Sequence, residues 1–372
     1  MSESHERFMS HAIELAKRGM GFVSPNPMVG AVVVRDGKIL GEGWHERYGG
    51  LHAERNAIAD CLKNGHECEG ADLYVTLEPC CHYGKTPPCT EAVIENGFRR
   101  VFIGSGDPNP LVAGKGITLL REHGIEVTEG VLSDECRRLN EIFFYYITEK
   151  TPFVTMKYAM TLDGKIACHT GLSKWVTGET ARERVQYERL RHSAIMVGVG
   201  TVLADDPKLT CRLPGGRDPV RIICDSRLRT PADSYIVRTA GRIRTIIACA
   251  EGYDTKKADI LQKSGCIILP AGSGRTDLRL LMKVLAEEQK IDSVLLEGGA
   301  ELNWSALESG IVCAVQAYIA PKLFGGNTAK SPVGGIGAES PDKSYLVDDY
   351  RTEQLGDDIL IEGRVSYVHR DN

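Results

Sequence analysis

The 372-residue chain has no run of about 18 or more apolar residues, the length a helix needs to cross a bilayer. Met1 to Gly19 includes Glu3, His5, Glu6 and Arg7. No unbroken apolar stretch with a small-residue cleavage site follows them, so no secretory signal is read there. A cytoplasmic protein with reduced thiols is the expectation. No internal repeat relates the two halves, and no low-complexity tract interrupts them. Positive charge is also in short supply. The formal net charge is −5. Met1 to Glu149 holds 15 Lys and Arg against 22 Asp and Glu, a balance of −7, and the remainder balances at +2, with 30 against 28. An acidic first half is a poor surface for a polyanion, which argues against nucleic acid as the partner. A full dinucleotide fingerprint is missing too. Gly198-Val199-Gly200 follows a strand-like run but lacks the third glycine.

What is present suits an ordinary globular protein of two domains, with 42% hydrophobic residues. Apolar residues recur at helical spacing from Glu6 to Arg18. Ala31–Val34 reads as a strand, Asp36-Gly37 as a hairpin dipeptide, and Ile39-Leu40 begins the return strand. His52–Asn64 reads as a helix stopped by Gly65, Leu73–Leu77 as a strand, Thr90–Asn96 as a helix and Arg100–Ile103 as a strand. A break falls near Ile147–Pro152, giving domains of residues 1–149 and 150–372. The alternation then resumes with Phe153–Ala159, Ala194–Val197, Val220–Cys224, Thr245–Ala248 and Cys266–Leu269. The helix Leu278–Gln289, the strand Ser293–Leu296, the helix Leu302–Glu308 and the strand Ala317–Ala320 follow. Both halves are therefore layered α/β.

Twelve cysteines need an account. Cys224, Cys249, Cys266 and Cys313 sit in apolar runs and read as small buried hydrophobes, and Cys61 and Cys68 as packing residues. Cys80 and Cys89 differ. His52-Ala53-Glu54 opens a helix, and Pro79-Cys80 and Cys89 follow. Zinc deaminases combine H-x-E with P-C-x-x-C, and here the second spacing is longer. One imidazole and two thiolates hold zinc with a position left open for water, whereas a structural site closes on four protein ligands. The glutamate is no ligand and moves protons. His-x-Glu alone is more often a pair on a helix surface, and Pro-Cys alone is weak. Their order and context carry the reading. Cys81 and His82 are rival ligands, although Cys81 alternates away from Cys80 in extended chain. His82 and Lys85 are read as facing substrate, and a plain solvated lysine is the alternative for Lys85.

Ser24-Pro25-Asn26-Pro27-Met28-Val29-Gly30, Gly43-Trp44-His45, His52-Ala53-Glu54 and the eleven residues from Pro79 to Cys89 together resemble the bifunctional riboflavin-biosynthesis deaminase/reductase family. The longer cysteine spacing resembles that family's own form, although Lys85 stands where arginine is expected in many members. The resemblance continues through Met160–Ala167, Ser173–Thr177, Gly200–Thr210 and Leu296–Gly299. It implies a cytidine-deaminase-like three-layer α/β/α domain followed by a dihydrofolate-reductase-like α/β domain. The first would remove the 2-amino group of 2,5-diamino-6-(ribosylamino)-4(3H)-pyrimidinone 5'-phosphate. The second would use NADPH to reduce the ribose of 5-amino-6-(5-phosphoribosylamino)uracil to the ribityl chain. Zinc would be held by His52, Cys80 and Cys89, with Glu54 catalytic and Asn26, His45, His82 and Lys85 on the deaminase substrate. Ala159, Trp175, Thr201, Asp205, Ser226 and the turn of Gly298, Gly299, Ala300, Glu301, Leu302 and Asn303 would line the cofactor site. Ser173, Arg189, Leu209, Arg212 and Glu297 would hold the phosphoribosyl substrate. A homo-oligomer, dimer or tetramer, and small-molecule partners without nucleic acid or membrane are also implied.

Read physically, Gly298-Gly299 follows a strand and precedes a helix whose N-terminal amides suit a pyrophosphate, though an ordinary turn has the same sequence. Arg189 also reads as a solvated helix residue, Asp163-Gly164 as a hairpin turn, and Asp205-Asp206-Pro207 as a helix-terminating turn. Two further functions compete with the main one. A nucleic-acid deaminase would be expected to carry a basic stripe. A regulatory protein with a structural zinc would have no need of Glu54.

Overall fold

The computed structural model describes residues 3–84, 87–109 and 112–367. The chain divides into two compact units, Met1–Lys150 and Thr151–Asn372.

In the first unit the elements run α1 (Glu3–Lys17), β1 (Gly30–Arg35), β2 (Lys38–Trp44), α2 (Ala53–Lys63), β3 (Asp72–Leu77), α3 (Cys89–Glu95), β4 (Arg100–Ser105), α4 (Lys115–Glu122), β5 (Glu126–Glu129), α5 (Ser133–Leu139) and α6 (Glu141–Glu149). The sheet order is β2-β1-β3-β4-β5. β1 is antiparallel to β2 and β3, while β3, β4 and β5 are parallel. Asp36 and Gly37 both have positive φ, 51° and 74°, as a tight hairpin turn between right-twisted strands requires. The alternation of side chains along β1 separates two cores. Ala31 and Val33 pack with Ala57 of α2, Val93 of α3 and Leu120 of α4. Val32 and Val34 pack with Met9 and Ala12 of α1 and Cys136 of α5. Helices on both faces make this a three-layer α/β/α domain, which is why β3 is buried along its whole length.

The second unit runs β6 (Phe153–Thr161), α7 (Glu179–Arg191), β7 (Ala194–Gly198), α8 (Val199–Asp205), β8 (Val220–Cys224), α9 (Tyr235–Arg238), β9 (Thr245–Cys249), α10 (Thr255–Lys263), β10 (Ile267–Pro270), α11 (Leu278–Glu287), β11 (Ser293–Leu296), α12 (Ala300–Glu308), β12 (Ala314–Ala320), β13 (Leu346–Leu355) and β14 (Asp358–Ser366). Its nine-stranded sheet has the order β10-β9-β8-β7-β11-β6-β12-β14-β13. The strands are parallel from β10 to β12, and β14 and β13 add an antiparallel edge. One face packs Met196, Ile222 and Ile246 against α11 and α12, and the other packs Ile195, Ile223 and Ile247 against α9 and α10. Asp277 and Asp254 cap α11 and α10 with their carboxylates.

The sequence reading gave no bounds for α4, β5, α5 to α10, β13 and β14, and it differs elsewhere at element ends. α12 begins at Ala300, two residues before the first strongly apolar position. The hairpin β13–β14 is not announced by periodicity, because β13 is exposed at every residue but Leu355 and so carries no hydrophobic pattern. Among the described residues no helix is long and apolar enough to cross a membrane.

Candidate functional site

α2 lies directly on β2. A Cβ on Gly43 would stand 2.2 Å from the Ala57 nitrogen, and one on Gly41 2.4 Å from the Ala57 oxygen. This close approach fixes His52, the N-cap of α2. β3 ends at Leu77 and delivers Pro79-Cys80, while Cys89 is the first residue of α3. His52 Nδ1 lies 3.5 Å from Cys80 Sγ and 3.3 Å from Cys89 Sγ. The three ligand atoms fall within 4.8 Å of one another. Tetrahedral zinc bonds of about 2.0 to 2.3 Å place donors roughly 3.5 Å apart, so this set of one imidazole and two thiols fits zinc. Hydrogen bonding from Cys89 brings the Cys80 thiol down to about 4 against the opposing effect of burial, and His52 adds to the shift. Its partner Cys89 is pushed well up by the same contact. Hydrogen bonding to Cys80 raises His52. The two thiols and the imidazole thus stand close enough to share one cation, which binds cysteine as the thiolate.

Cys89 is fully buried, and His52 and Cys80 beside it line a cavity of about 290 Å³. Glu54, in the first turn of α2, is buried in its wall, and burial is the main cause of its raised pKa. His45 is buried and kept neutral by that burial. The Leu51 carbonyl, 2.9 Å away, only accepts, so His45 Nδ1 carries the proton. Nε2 then accepts from Asn26 Nδ2 at 3.2 Å. His82 lines the cavity, and its buried Nδ1 has no partner among the described residues. Lys85 lies outside the described residues. Asp107 and Asn109 also line the cavity and were not singled out in the sequence. Burial lifts Asp107 to about 6. The signal that points to them is Gly106-Asp107-Pro108-Asn109, a turn-rich stretch at the carboxyl end of a parallel strand, where open α/β sheets place their sites.

In the second unit Arg189 is engaged by protein. Its Nε and Nη2 donate to Glu297 at 2.7 and 2.9 Å, and Nη1 donates to the Thr210 carbonyl at 3.0 Å. Gln186 accepts from the Arg212 backbone nitrogen at 3.0 Å. α7 thus pins the segment carrying Leu209 and Arg212, and the Arg212 side chain stays exposed. Lys157, also not singled out in the sequence, stands 4.0 Å from Glu297. Burial lowers its pKa despite that neighbour.

Burial alone would raise Glu297, but Arg189 and Lys157 outweigh it and hold the carboxyl at about 2. The ordinary value is 4.5. A depressed folded value contributes stability above the ordinary pKa and loses it as pH falls through the folded one. Wild-type stability of this domain should therefore fall between about 4.5 and about 2 with a slope that Glu297→Gln lacks. At neutral pH the variant should be about 3–5 kcal/mol less stable, because Arg189 is left buried without its partner. Urea midpoints measured across that pH range check both, and equal slopes would remove the ion pair from the account.

Cofactor-type residues gather at the β11–α12 turn. A Cβ on Gly298 would lie 2.8 Å from Asn303 Oδ1, 3.1 Å from Leu296 and 3.2 Å from Leu302. One on Gly299 would be 3.9 Å from Thr201 Oγ1. The N-cap Gly299 offers no side-chain acceptor, so the first amides of α12 are left for an outside anion such as a pyrophosphate. Asn303 anchors the turn through Nδ2, which donates to the Pro332 carbonyl at 2.8 Å. Glu301 accepts from the Gly335 nitrogen at 3.5 Å. Trp175 is exposed under the Arg182 guanidinium, 4.6 Å from its ring centre. Ser226 bonds Thr276, Ala159 packs against Ala181, Val185 and Tyr318, and Asp205 is exposed at the end of α8. Ser173 is half-buried two residues before Trp175. On the expectation that this turn takes the reduced nicotinamide cofactor, Gly298→Ala should raise its KM about tenfold, or about 1.4 kcal/mol, and leave the activity expected of the first unit unchanged. Steady-state kinetics with the cofactor varied check it.

Residues 2–105 match the cytidine and deoxycytidylate deaminase zinc-binding region, and residues 152–361 match the RibD C-terminal domain. The riboflavin biosynthesis protein RibD of Actinobacillus pleuropneumoniae is 54% identical over 357 residues, covering 95% of this chain and 94% of that protein. The chain belongs to the RibD family. RibD of Bacillus amyloliquefaciens is 46% identical over 96% of this chain and 95% of its own length. The crystal structure of the deaminase/reductase from Thermotoga maritima superposes with a TM-score of 0.85 at 41% identity, covering 98% of this chain and 99% of that one. This RibD chain is accordingly a bifunctional enzyme of riboflavin biosynthesis, with a deaminase domain followed by a reductase domain.

Proposed function

We propose that the first domain deaminates 2,5-diamino-6-(ribosylamino)-4(3H)-pyrimidinone 5'-phosphate and that the second reduces the product, 5-amino-6-(5-phosphoribosylamino)uracil, with NADPH. The observation that carries this reading is the clustering of His52, Cys80 and Cys89 where His52, Cys80 and the buried non-ligand Glu54 share one cavity wall. His52, Cys80 and Cys89 would hold the zinc, which when bound would make a hydroxide nucleophile available near neutral pH. Glu54 takes a proton from the attacking water and returns protons to the ring nitrogen and the departing amine. A C–N bond breaks, a C–O bond forms and ammonia leaves. Neutral His45 and Asn26 orient the pyrimidine, His82 faces the substrate from the cavity wall, and Lys85 is assigned to the substrate phosphate on the family resemblance alone. An acidic first half and full-length RibD relatives leave no support for a nucleic-acid substrate.

In the reductase, Gly298–Asn303 with Ala159, Trp175, Thr201, Asp205 and Ser226 would hold NADPH, which would supply a hydride when bound. Ser173, Leu209, Arg212 and the Arg189–Glu297 pair hold the phosphoribosyl chain. Lys157, 4.0 Å from Glu297, is the side chain to which this reading assigns proton donation to the opening ribose oxygen. A cytoplasmic homo-oligomer belongs to the same reading. The test is a two-stage assay on zinc-loaded protein, in which the diaminopyrimidine ribonucleotide is given alone and NADPH is added afterwards. Ammonia release followed by NADPH oxidation is expected. Ammonia without oxidation would remove the reductase half, and neither signal would remove both.

A further inference from the structure

Glu78 stands at the end of β3, two residues before Cys80, and its side chain is buried. Its backbone nitrogen donates to the Ser105 carbonyl at 2.9 Å, so the residue sits where β3 and β4 end side by side. Glu78 is among the residues that line the cavity, and its carboxylate accepts four backbone N–H groups. Oε2 takes those of Asp107 at 3.3 Å and Gly114 at 3.0 Å. Oε1 takes those of Gly116 at 3.0 Å and Ile117 at 3.4 Å.

The N-cap of α4 is Gly114, in the left-handed region at φ 81° and without a side chain to cap the helix. The orphan amides of a first helical turn need an acceptor, and a negative charge there also suits the helix dipole. Glu78 supplies it from another element. The same carboxylate holds the amide of Asp107, so it ties the start of α4 to the residue that enters the cavity wall. Asp107 in turn accepts from the Asn109 nitrogen at 2.8 Å. Asp107 and Asn109 both line the cavity. A Cβ on Gly116 would lie 2.2 Å from the Pro79 carbonyl, so α4 approaches this strand end without slack.

We infer that Glu78 is a positioning residue for deamination, acting through the Asp107 and Asn109 backbone to fix where these two side chains stand in the substrate cavity. This rests on the cavity being the deaminase substrate site. A carboxylate is required because all four partners are donors. An amide of the same shape turns a donor toward two of them, leaving buried N–H groups unsatisfied.

The experiment compares wild type, Glu78→Gln, Glu78→Asp, Asp107→Ala and the double variant Glu78→Gln/Asp107→Ala. Deamination of the diaminopyrimidine ribonucleotide, zinc content and the reductase activity of the same chain are all measured. Glu78→Gln should raise the deaminase KM about tenfold with kcat changed by less than about threefold, since misplaced binding groups act on substrate capture. Glu78→Asp keeps the charge and should fall between the two. Zinc and reduction should match wild type in both. In the Asp107→Ala background Glu78→Gln should raise KM by less than about twofold, because the two act on one element. Loss of zinc together with deamination would overturn the inference, placing Glu78 in support of the metal loop. An unchanged KM, or a full tenfold effect in the Asp107→Ala background, would overturn it too. A wild-type chain that releases no ammonia would instead sink the substrate-site reading, and this inference with it.

Discussion

Glu54→Gln is expected to retain zinc at the wild-type ratio while kcat for deamination falls about 10³-fold, within the range that general acid–base catalysis supplies. That is about 4 kcal/mol of transition-state stabilisation. The argument rests on position. Glu54 is buried in the cavity wall beside the ligand trio but is not a member of it. Glutamine preserves its shape and leaves the trio intact. What it removes is the capacity to take a proton and give it back, which burial tunes by raising the carboxyl's pKa. Metal analysis and ammonia release, measured on the same preparation, check both halves of the expectation. Normal turnover would remove Glu54 from the proton path, and zinc loss would make it structural.

The second large effect is expected from Cys80→Ser. Cys80 is one of the two soft donors of the trio. A serine hydroxyl is neither ionised at neutral pH nor a soft donor, so the set loses one of its two thiolate ligands. Bound zinc should fall from one equivalent to a small fraction, and deamination to background. Reduction of supplied deaminated substrate should stay near wild type, because the reductase residues lie in a separate compact unit with its own cores. Parallel loss of both activities in a folded protein would mean that the reductase depends on the metal site.

Much of the chain was legible because its signals are local. The hairpin dipeptide Asp36-Gly37, the Gly65 stop of α2 and the buried runs of β7, β8 and β9 are each written in a few neighbouring residues. So is the His52, Glu54, Cys80 and Cys89 set, whose residue types admit few chemistries at that order and spacing. The C-terminal hairpin was not legible, because an edge strand that buries neither face needs no pattern. Arg189 illustrates a different limit. Its charge suggests an anion partner, but only the packing of α7 against the end of β11 shows that Glu297 is that partner.

The sequence by itself determined the chemistry available: two layered α/β halves, a soft three-ligand metal set with a spare carboxylate, and a glycine turn opening a helix. Only the tertiary structure decided which distant groups share a cavity and in what state. Asp107 and Asn109 join the zinc residues because parallel β3 and β4 end side by side, and Glu78 caps a helix that begins 37 positions later. Such pairings depend on sheet order and on the burial that shifts each group's pKa. Neither is encoded by spacing along the chain, because contacts between strand ends are set by how the whole sheet closes its core.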